Sequence, residues 1–114
     1  DLPYVDGNIT IIEAMEIISK QGYGLGLIKI GGSVNGIFTD GDLRRIINNE
    51  VDLSSTPIKK VMTKKYKFVD ETNFVLDVSR VMENQKIYSL IVKNSKNKIT
   101  GLVRMHEILS AKII

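Results

Sequence analysis

The sequence predicts an α+β protein made of two β-α-β-β-α repeats packed on each other as a pseudo-twofold pair. Three observations carry that prediction. Residues 5–47 overlay residues 69–112 at an offset of 64, which rises to 65 after one extra residue in a hairpin turn, so that Val5-Asp6 falls on Val69-Asp70, Gln21 on Gln85 and Gly36 on Gly101. Within each copy the apolar spacing changes from helical to strand-like and back. Each copy also has a short apolar strand running directly into a polar helix start.

The elements follow in order. Val5 lies in a short opening strand. Thr10 to Glu13 fits a capping box, and Ile11, Ala14, Met15 and Ile18 recur at helical spacing, which predicts a helix of about three turns ended by Gly22 and Gly24. The runs "LGLIKI" and "VNGIF" flank Gly31-Gly32-Ser33 as two strands joined by a tight turn. Leu43, Ile46 and Ile47 form the apolar stripe of a second helix. Residues 1–50 are the first repeat. Residues 51–64, "VDLSSTPIKKVMTK", link it to the second repeat and open it; Pro57 at a first helical position predicts a short helix with Ile58, Val61 and Met62 inward. Residues 65–114 repeat the plan, with a helix over Val75, Val78, Val81 and Met82, strands "YSLIVK" and "ITGLV" around "NSKNK", and a last helix over Ile108 and Leu109. Each copy is small for independent stability, so the two are expected to bury apolar sheet faces against each other.

Composition narrows the function classes. The 114 residues are 43% hydrophobic and 25% charged, ordinary for a globular unit. The absence of cysteine removes disulfides, thiolate nucleophiles and zinc-thiolate sites, and the single histidine removes any site built from several histidines. No apolar run reaches the roughly 20 residues of a membrane span, and no signal-peptide pattern opens the chain, so a soluble, cytoplasmic protein without membrane contact is expected. The net charge of +3 permits an anionic ligand but lacks the dense basic stripe of a nucleic-acid binder. The start at Asp1 suggests a piece of something longer. Lys59, Lys60, Lys64, Lys65 and Lys67 read as a solvated face, and Met15, Met62 and Met82 as packing.

The stretch "GIFTDGDLRR" holds a hydroxyl and two carboxylates within four residues of a strand-to-helix corner. Thr39 or Asp40 can cap the helix while Asp42 complements its dipole. One cap needs one acceptor, however, which leaves Thr39 and Asp42, three residues apart, available to a ligand at the positive end of the helix. A carboxylate accepts from the two vicinal hydroxyls of a ribose, and a threonine hydroxyl donates to a phosphate. Both readings stand on local evidence.

The tandem unit, the glycine after the hairpin, the Thr-x-x-Asp corner and "PIKKVMT" resemble a paired CBS domain, or Bateman module, over essentially the whole chain. More narrowly, "GIFTDGDLRR", "TPIKKVMT" and "MHEILSAKII" resemble the C-terminal CBS pair of bacterial arabinose 5-phosphate isomerases. In that family a sugar-isomerase domain precedes the pair, interconverts ribulose 5-phosphate and arabinose 5-phosphate, and feeds the Kdo sugar of lipopolysaccharide or capsule. The resemblance implies a regulatory module attached to that isomerase domain, no catalysis by this chain itself, no required cofactor, and a nucleotide ligand (CMP-Kdo, AMP or ATP) in a cleft between the repeats. Paired CBS modules commonly associate two at a time, which implies a homodimer. Thr39 and Asp42 match the family's phosphate and ribose contacts, and Met62, Thr63 and Tyr88 would lie near the base.

The second repeat departs from this pattern. Arg104 and Glu107 stand where the first has Thr39 and Asp42, and His106 stands opposite Gly41. Arginine offers a forked cation for phosphate or carboxylate and histidine titrates near neutrality, so Arg104 and His106 are candidate anion contacts of a different kind; a surface arginine and a helix-start histidine are the plain alternative. Two further functions compete with ligand sensing. One is a structural dimerisation module with vestigial ligand sites. The other is catalysis by Asp40, Asp42, His106 and Glu107, which is disfavoured because no nucleophile or metal cluster accompanies the one histidine.

Overall fold

The computed structural model describes residues 2–71 and 89–104, with the backbone alone at Val69 and Arg104. The chain divides into two compact units, residues 1–66 and 67–114.

In the first unit the order is β1 (Tyr4–Asp6), α1 (Ile11–Gln21), β2 (Leu25–Ile30), β3 (Ser33–Thr39) and α2 (Asp40–Asn48), followed by a 3₁₀ turn at Ile58–Lys60. The sheet runs β1-β2-β3; β1 and β2 are parallel across the α1 crossover, and β2 and β3 form an antiparallel hairpin. The capping box at α1 is present in both directions: the Thr10 hydroxyl accepts from the Glu13 N–H at 3.2 Å, and a Glu13 carboxylate oxygen accepts from the Thr10 N–H at 3.0 Å. At the other end Gly22 takes a left-handed conformation and its N–H donates to Ile18. Gly31 and Gly32, at φ 59° and 84°, supply the two positive angles a two-residue type I′ turn demands.

Val5, Ile11, Ala14, Ile18, Ile28, Phe38, Ile46 and Ile58 form the buried cluster of this unit, with Met15, Leu43, Val61 and Met62 packed against it. Two details differ from the sequence reading. Ile47 was expected in the buried stripe of α2, yet it is 53% exposed, because it lies at the edge of that stripe opposite the buried Ile46. Residues 51–64, read as a linker and the start of the second repeat, pack into the first unit. Ile58 is fully buried there, and Thr56 and Leu53 carbonyls accept from the N–H groups of Ile11 and Ile12, donors that a helix start leaves without intrahelical partners. Pro57 precedes the 3₁₀ turn as its cap at φ −64° and ψ 141°, rather than occupying a first helical position.

The second unit contains β4 (Phe68–Asp70), β5 (Ser89–Lys93) and β6 (Ile99–Arg104) in the order β4-β5-β6, again parallel and then antiparallel. Its pairing repeats the first unit rung for rung. Tyr4 faces Leu27 and Phe68 faces Ile91; Ile28 faces Gly36 and Val92 faces Gly101. Both hairpins carry an irregularity at the same rung, Ile28/Lys29 and Val92/Lys93. Each places a lysine ammonium 4.2 Å from an aromatic centroid, Lys29 over Tyr4 and Lys93 over Phe68. The extra residue of the second copy lies in its turn, where Asn97 takes a positive φ of 63°. The expected helices over Val75, Val78, Val81 and Met82 and over Ile108 and Leu109 fall outside the described residues.

Candidate functional site

The corner between β3 and α2 is held by a second capping box. Thr39 keeps an extended backbone at φ −122° and ψ 170°, and its hydroxyl accepts from the Asp42 N–H at 3.2 Å. Asp42 answers by accepting the Thr39 N–H on Oδ2 at 3.0 Å, and the Thr39 hydroxyl donates to the same oxygen at 3.2 Å. Such reciprocal pairing satisfies orphan donors at the helix start, and removal of the threonine side chain typically costs about 1 kcal/mol.

A third strand-like segment closes the corner from outside the hairpin. Thr63 pairs with Ile37 through both backbone bonds, at 2.9 and 2.8 Å, and its hydroxyl donates to Asp42 Oδ1 at 2.8 Å. This approach needs Gly36: a Cβ there would lie 2.8 Å from both the Met62 sulfur and the Thr63 carbonyl oxygen. Arg45, one turn after Asp42, places Nη1 3.3 Å from Oδ1 and Nη2 3.4 Å from the Val61 carbonyl.

The sequence left open whether Asp42 serves the cap or a ligand; in the structure it is 8% exposed, its carboxylate accepts from the Thr39 N–H, the Thr39 hydroxyl and the Thr63 hydroxyl, and the Arg45 guanidinium stands beside it as an ion pair. Thr39, Asp42 and Thr63 are brought together, and Met62 lies beside them against Gly36. Arg104 ends β6 opposite Ser89, as Thr39 ends β3 opposite Leu25, so the two corners are equivalent in backbone register. Tyr88, His106 and Glu107 lie outside the described residues. Arg45 was missed by sequence reasoning, although its i,i+3 spacing from Asp42 was a readable signal. Of the five lysines read as solvated, Lys60, Lys64, Lys65 and Lys67 are exposed; Lys59 is half-buried and donates to Asn8 Oδ1 at 2.8 Å.

A second feature of the first unit is an apolar groove of about 720 Å³ between α1 and α2, lined by Ile11, Ile12, Met15, Leu43, Ile47 and Leu53, with Glu16 and Lys20 on its rim. Ile12 and Ile47 are both substantially exposed there. No described helix is long and apolar enough to cross a membrane.

A β-α-β-β-α frame with a polar strand-to-helix corner, whose strand pairing recurs in the second unit, defines a tandem module, and its family is established by sequence. The chain belongs to the CBS domain family, whose profile matches residues 1–49 and 58–113. Among curated relatives it is 34% identical over 113 residues to arabinose 5-phosphate isomerase KdsD of Francisella tularensis, covering 99% of this chain and 35% of that protein. It is 30% identical over 108 residues to arabinose 5-phosphate isomerase KpsF of Escherichia coli, covering 94% of this chain and 33% of that protein. The chain thus spans about a third of the length of these relatives. A CBS-domain signal-transduction protein of Burkholderia ambifaria superposes with a TM-score of 0.84 at 21% identity, covering 97% of this chain and 82% of that one. The cytosolic domain of the Mg2+ channel MgtE, solved in complex with ATP, superposes at 0.75 with 18% identity over 97% of this chain and 45% of its own.

Proposed function

We propose that this chain is the regulatory module of an arabinose 5-phosphate isomerase, and that it senses a nucleotide or nucleotide sugar, such as CMP-Kdo or an adenine nucleotide, at the Thr39-Asp42-Thr63 corner. The observation that carries the reading is the match of nearly the whole chain to one third of each of several isomerases of that name. The corner supports the ligand half of the proposal. It sets a carboxylate, engaged by Thr39 and Thr63, beside an exposed first turn at Asp40 and Gly41, where the helix dipole favours a phosphate. The ATP complex of the MgtE domain shows that a protein with a similar fold takes a nucleotide.

A thermal-shift panel of CMP, CMP-Kdo, AMP and ATP tests this. A ligand at 100 times its Kd stabilises the folded state by about 2.7 kcal/mol, which raises the melting temperature by several degrees. Asp42→Asn is then read by affinity rather than by melting temperature, because Asp42 also caps α2. A flat response to all four compounds defeats the ligand reading. In the full-length gene product, conversion of ribulose 5-phosphate to arabinose 5-phosphate is expected; turnover by this chain alone would defeat the assignment of a purely regulatory role.

A second reading, a structural module that dimerises, is favoured by the α1–α2 groove. The occupant that fits is a second copy of the same face. Glu16 and Lys20 on its rim are opposite charges four residues apart, so two copies related by a twofold axis can pair each with the other. Sedimentation of Ile47→Asp decides it: a dimer should become a monomer, and an unchanged mass removes this face from the interface.

A further inference from the structure

We propose that Thr63 is a latch on the ligand corner: its hydroxyl holds the position on Asp42 that a vicinal diol must take, so a ligand enters by displacing the bond that fastens residues 61–63 to α2. The inference rests on the ligand reading above and concerns how that same site is controlled.

The three hydrogen-bond donors and the one ion-pair partner of the Asp42 carboxylate are not equally replaceable. The Thr39 N–H and hydroxyl, at 3.0 and 3.2 Å, are arms of the capping box, and giving both up unpins the start of α2. Arg45 belongs to the same helix, stands off at 3.3 Å and is half exposed. Thr63 makes the shortest contact, 2.8 Å, and arrives from 21 residues away. Rotation about its single Cα–Cβ bond to another staggered position withdraws the hydroxyl without moving the backbone. A ribose hydroxyl then replaces a threonine hydroxyl, one O–H donor for another, and Asp42 keeps its full set of partners. No other donor at this carboxylate can be exchanged so simply.

The exchange acts on the chain as well as on the ligand. With the side-chain bond gone, residues 61–63 are held to the corner by the two Thr63–Ile37 backbone bonds and the 3.4 Å contact from Arg45 to Val61. That segment leads directly to Tyr66, the last residue of the first unit, with Lys67 opening the second. Occupancy of the corner is therefore registered at the covalent junction of the two units. The ligand shifts this equilibrium only by the difference in its affinity for the latched and unlatched states.

The test uses CMP and AMP as probes on the full chain, by calorimetric titration of the wild type, Thr63→Val and Thr63→Ser. Valine has the shape of threonine without the hydroxyl, so it removes the competitor; the expected Kd falls about tenfold, equivalent to 1.4 kcal/mol. Serine restores the hydroxyl and the wild-type affinity. In the wild type, the Thr63 γ-methyl resonance should shift on addition of either nucleotide and stay in place with the 2′,3′-dideoxy counterparts, a readout that decides the matter even if Thr63→Val does not fold. Nucleotide binding with a stationary Thr63 methyl, or a valine variant that binds no tighter than wild type, overturns the latch and leaves the ligand reading standing. If neither probe binds wild type or variant, and CMP-Kdo and ATP also fail, the ligand reading falls and the latch with it.

Discussion

Gly36→Ala is expected to destabilise the protein, while the equivalent change Gly101→Ala is expected not to, although the two glycines occupy the same rung of the two hairpins. At Gly36 the added methyl would sit 2.8 Å from the Thr63 carbonyl oxygen and from the Met62 sulfur, and 2.9 Å from the Met62 Cγ. The methionine can turn aside. The carbonyl cannot, because it accepts the Ile37 N–H at 2.9 Å on the strand that carries the new methyl. The segment must retreat by about half an ångström, and overpacking of this kind costs roughly 1–3 kcal/mol. At about 4 °C or more per kcal/mol for a domain of this size, the melting temperature should fall by at least several degrees. Among the described residues nothing lies within 4 Å of a Cβ built on Gly101, so there the alanine removes a flexible glycine from a strand and should leave stability within about 1 kcal/mol of wild type or slightly above it. Thermal and urea denaturation followed by circular dichroism measures both. Hydrogen exchange adds a local reading, since the amides of Ile37 and Thr63 should exchange faster in Gly36→Ala alone. Equal stability of the two variants would refute the claim that Gly36 exists to admit residues 62 and 63.

Ile58→Ala should cost about 2–5 kcal/mol, the range for a fully buried isoleucine, and should speed exchange of the Ile11 and Ile12 amides bonded to the same segment; a loss under 1 kcal/mol would show that residues 51–66 are not part of the first core. The Glu13 carboxyl is held below its ordinary 4.5, first by the Thr10 N–H and then by the Thr10 hydroxyl. A depressed folded value means that the stabilisation is complete above 4.5 and drains away as pH falls through the lower folded value, so Glu13→Gln, which keeps the acceptor and loses the titration, should flatten the acid side of the stability curve. An identical acid limb in both proteins would exclude Glu13 as its source. Asp52, held low by the hydroxyls of Ser55 and Ser54, contributes with the same sign, and the double variant Glu13→Gln/Asp52→Asn should be flatter still.

Features governed by neighbours in sequence were legible, and those governed by distant partners were not. The α1 capping box, the Gly31-Gly32 turn and the repeat offset rest on residues within a few positions of one another or on direct identity, and the structure has all three. Asp42 shows the boundary between the two cases. The Thr-x-x-Asp spacing is the same capping pattern that was read at Thr10-x-x-Glu13, yet at Thr39 the carboxylate was left open between the helix start and a ligand, and its bond to Thr63 depends on a contact 21 residues off. Ile47 failed for a geometric reason. Leu43, Ile46 and Ile47 spread over about 100° of the helix circumference with Leu43 in the middle, and burial falls off across it from Ile46 at one edge to Ile47 at the other. The short turn with Ile58 inward was legible from local signals, but the backbone pairing of Pro57, Ile58 and Lys59 with Thr10, Ile9 and Gly7, about 50 residues earlier in the chain, was not.

The irregular rung shared by the two hairpins bears on how this chain arose. In the first copy Asn35 is the residue left over by the pairing, and its amide donates to the carbonyls of Ile30 and Ser33; in the second Thr100 is left over, and its hydroxyl donates to Val92 and to Glu71. Different side chains solve the same dislocation by different bonds. A dislocation acquired separately in each half would have no reason to fall on matching rungs. The shared rung is what one duplicated unit would leave in both halves, and the one-residue difference between the two hairpin turns is what a change in a single copy would leave. Insertions and deletions in this lineage are then expected to collect at the hairpin tips, and the rung itself to outlast changes in every residue that now occupies it.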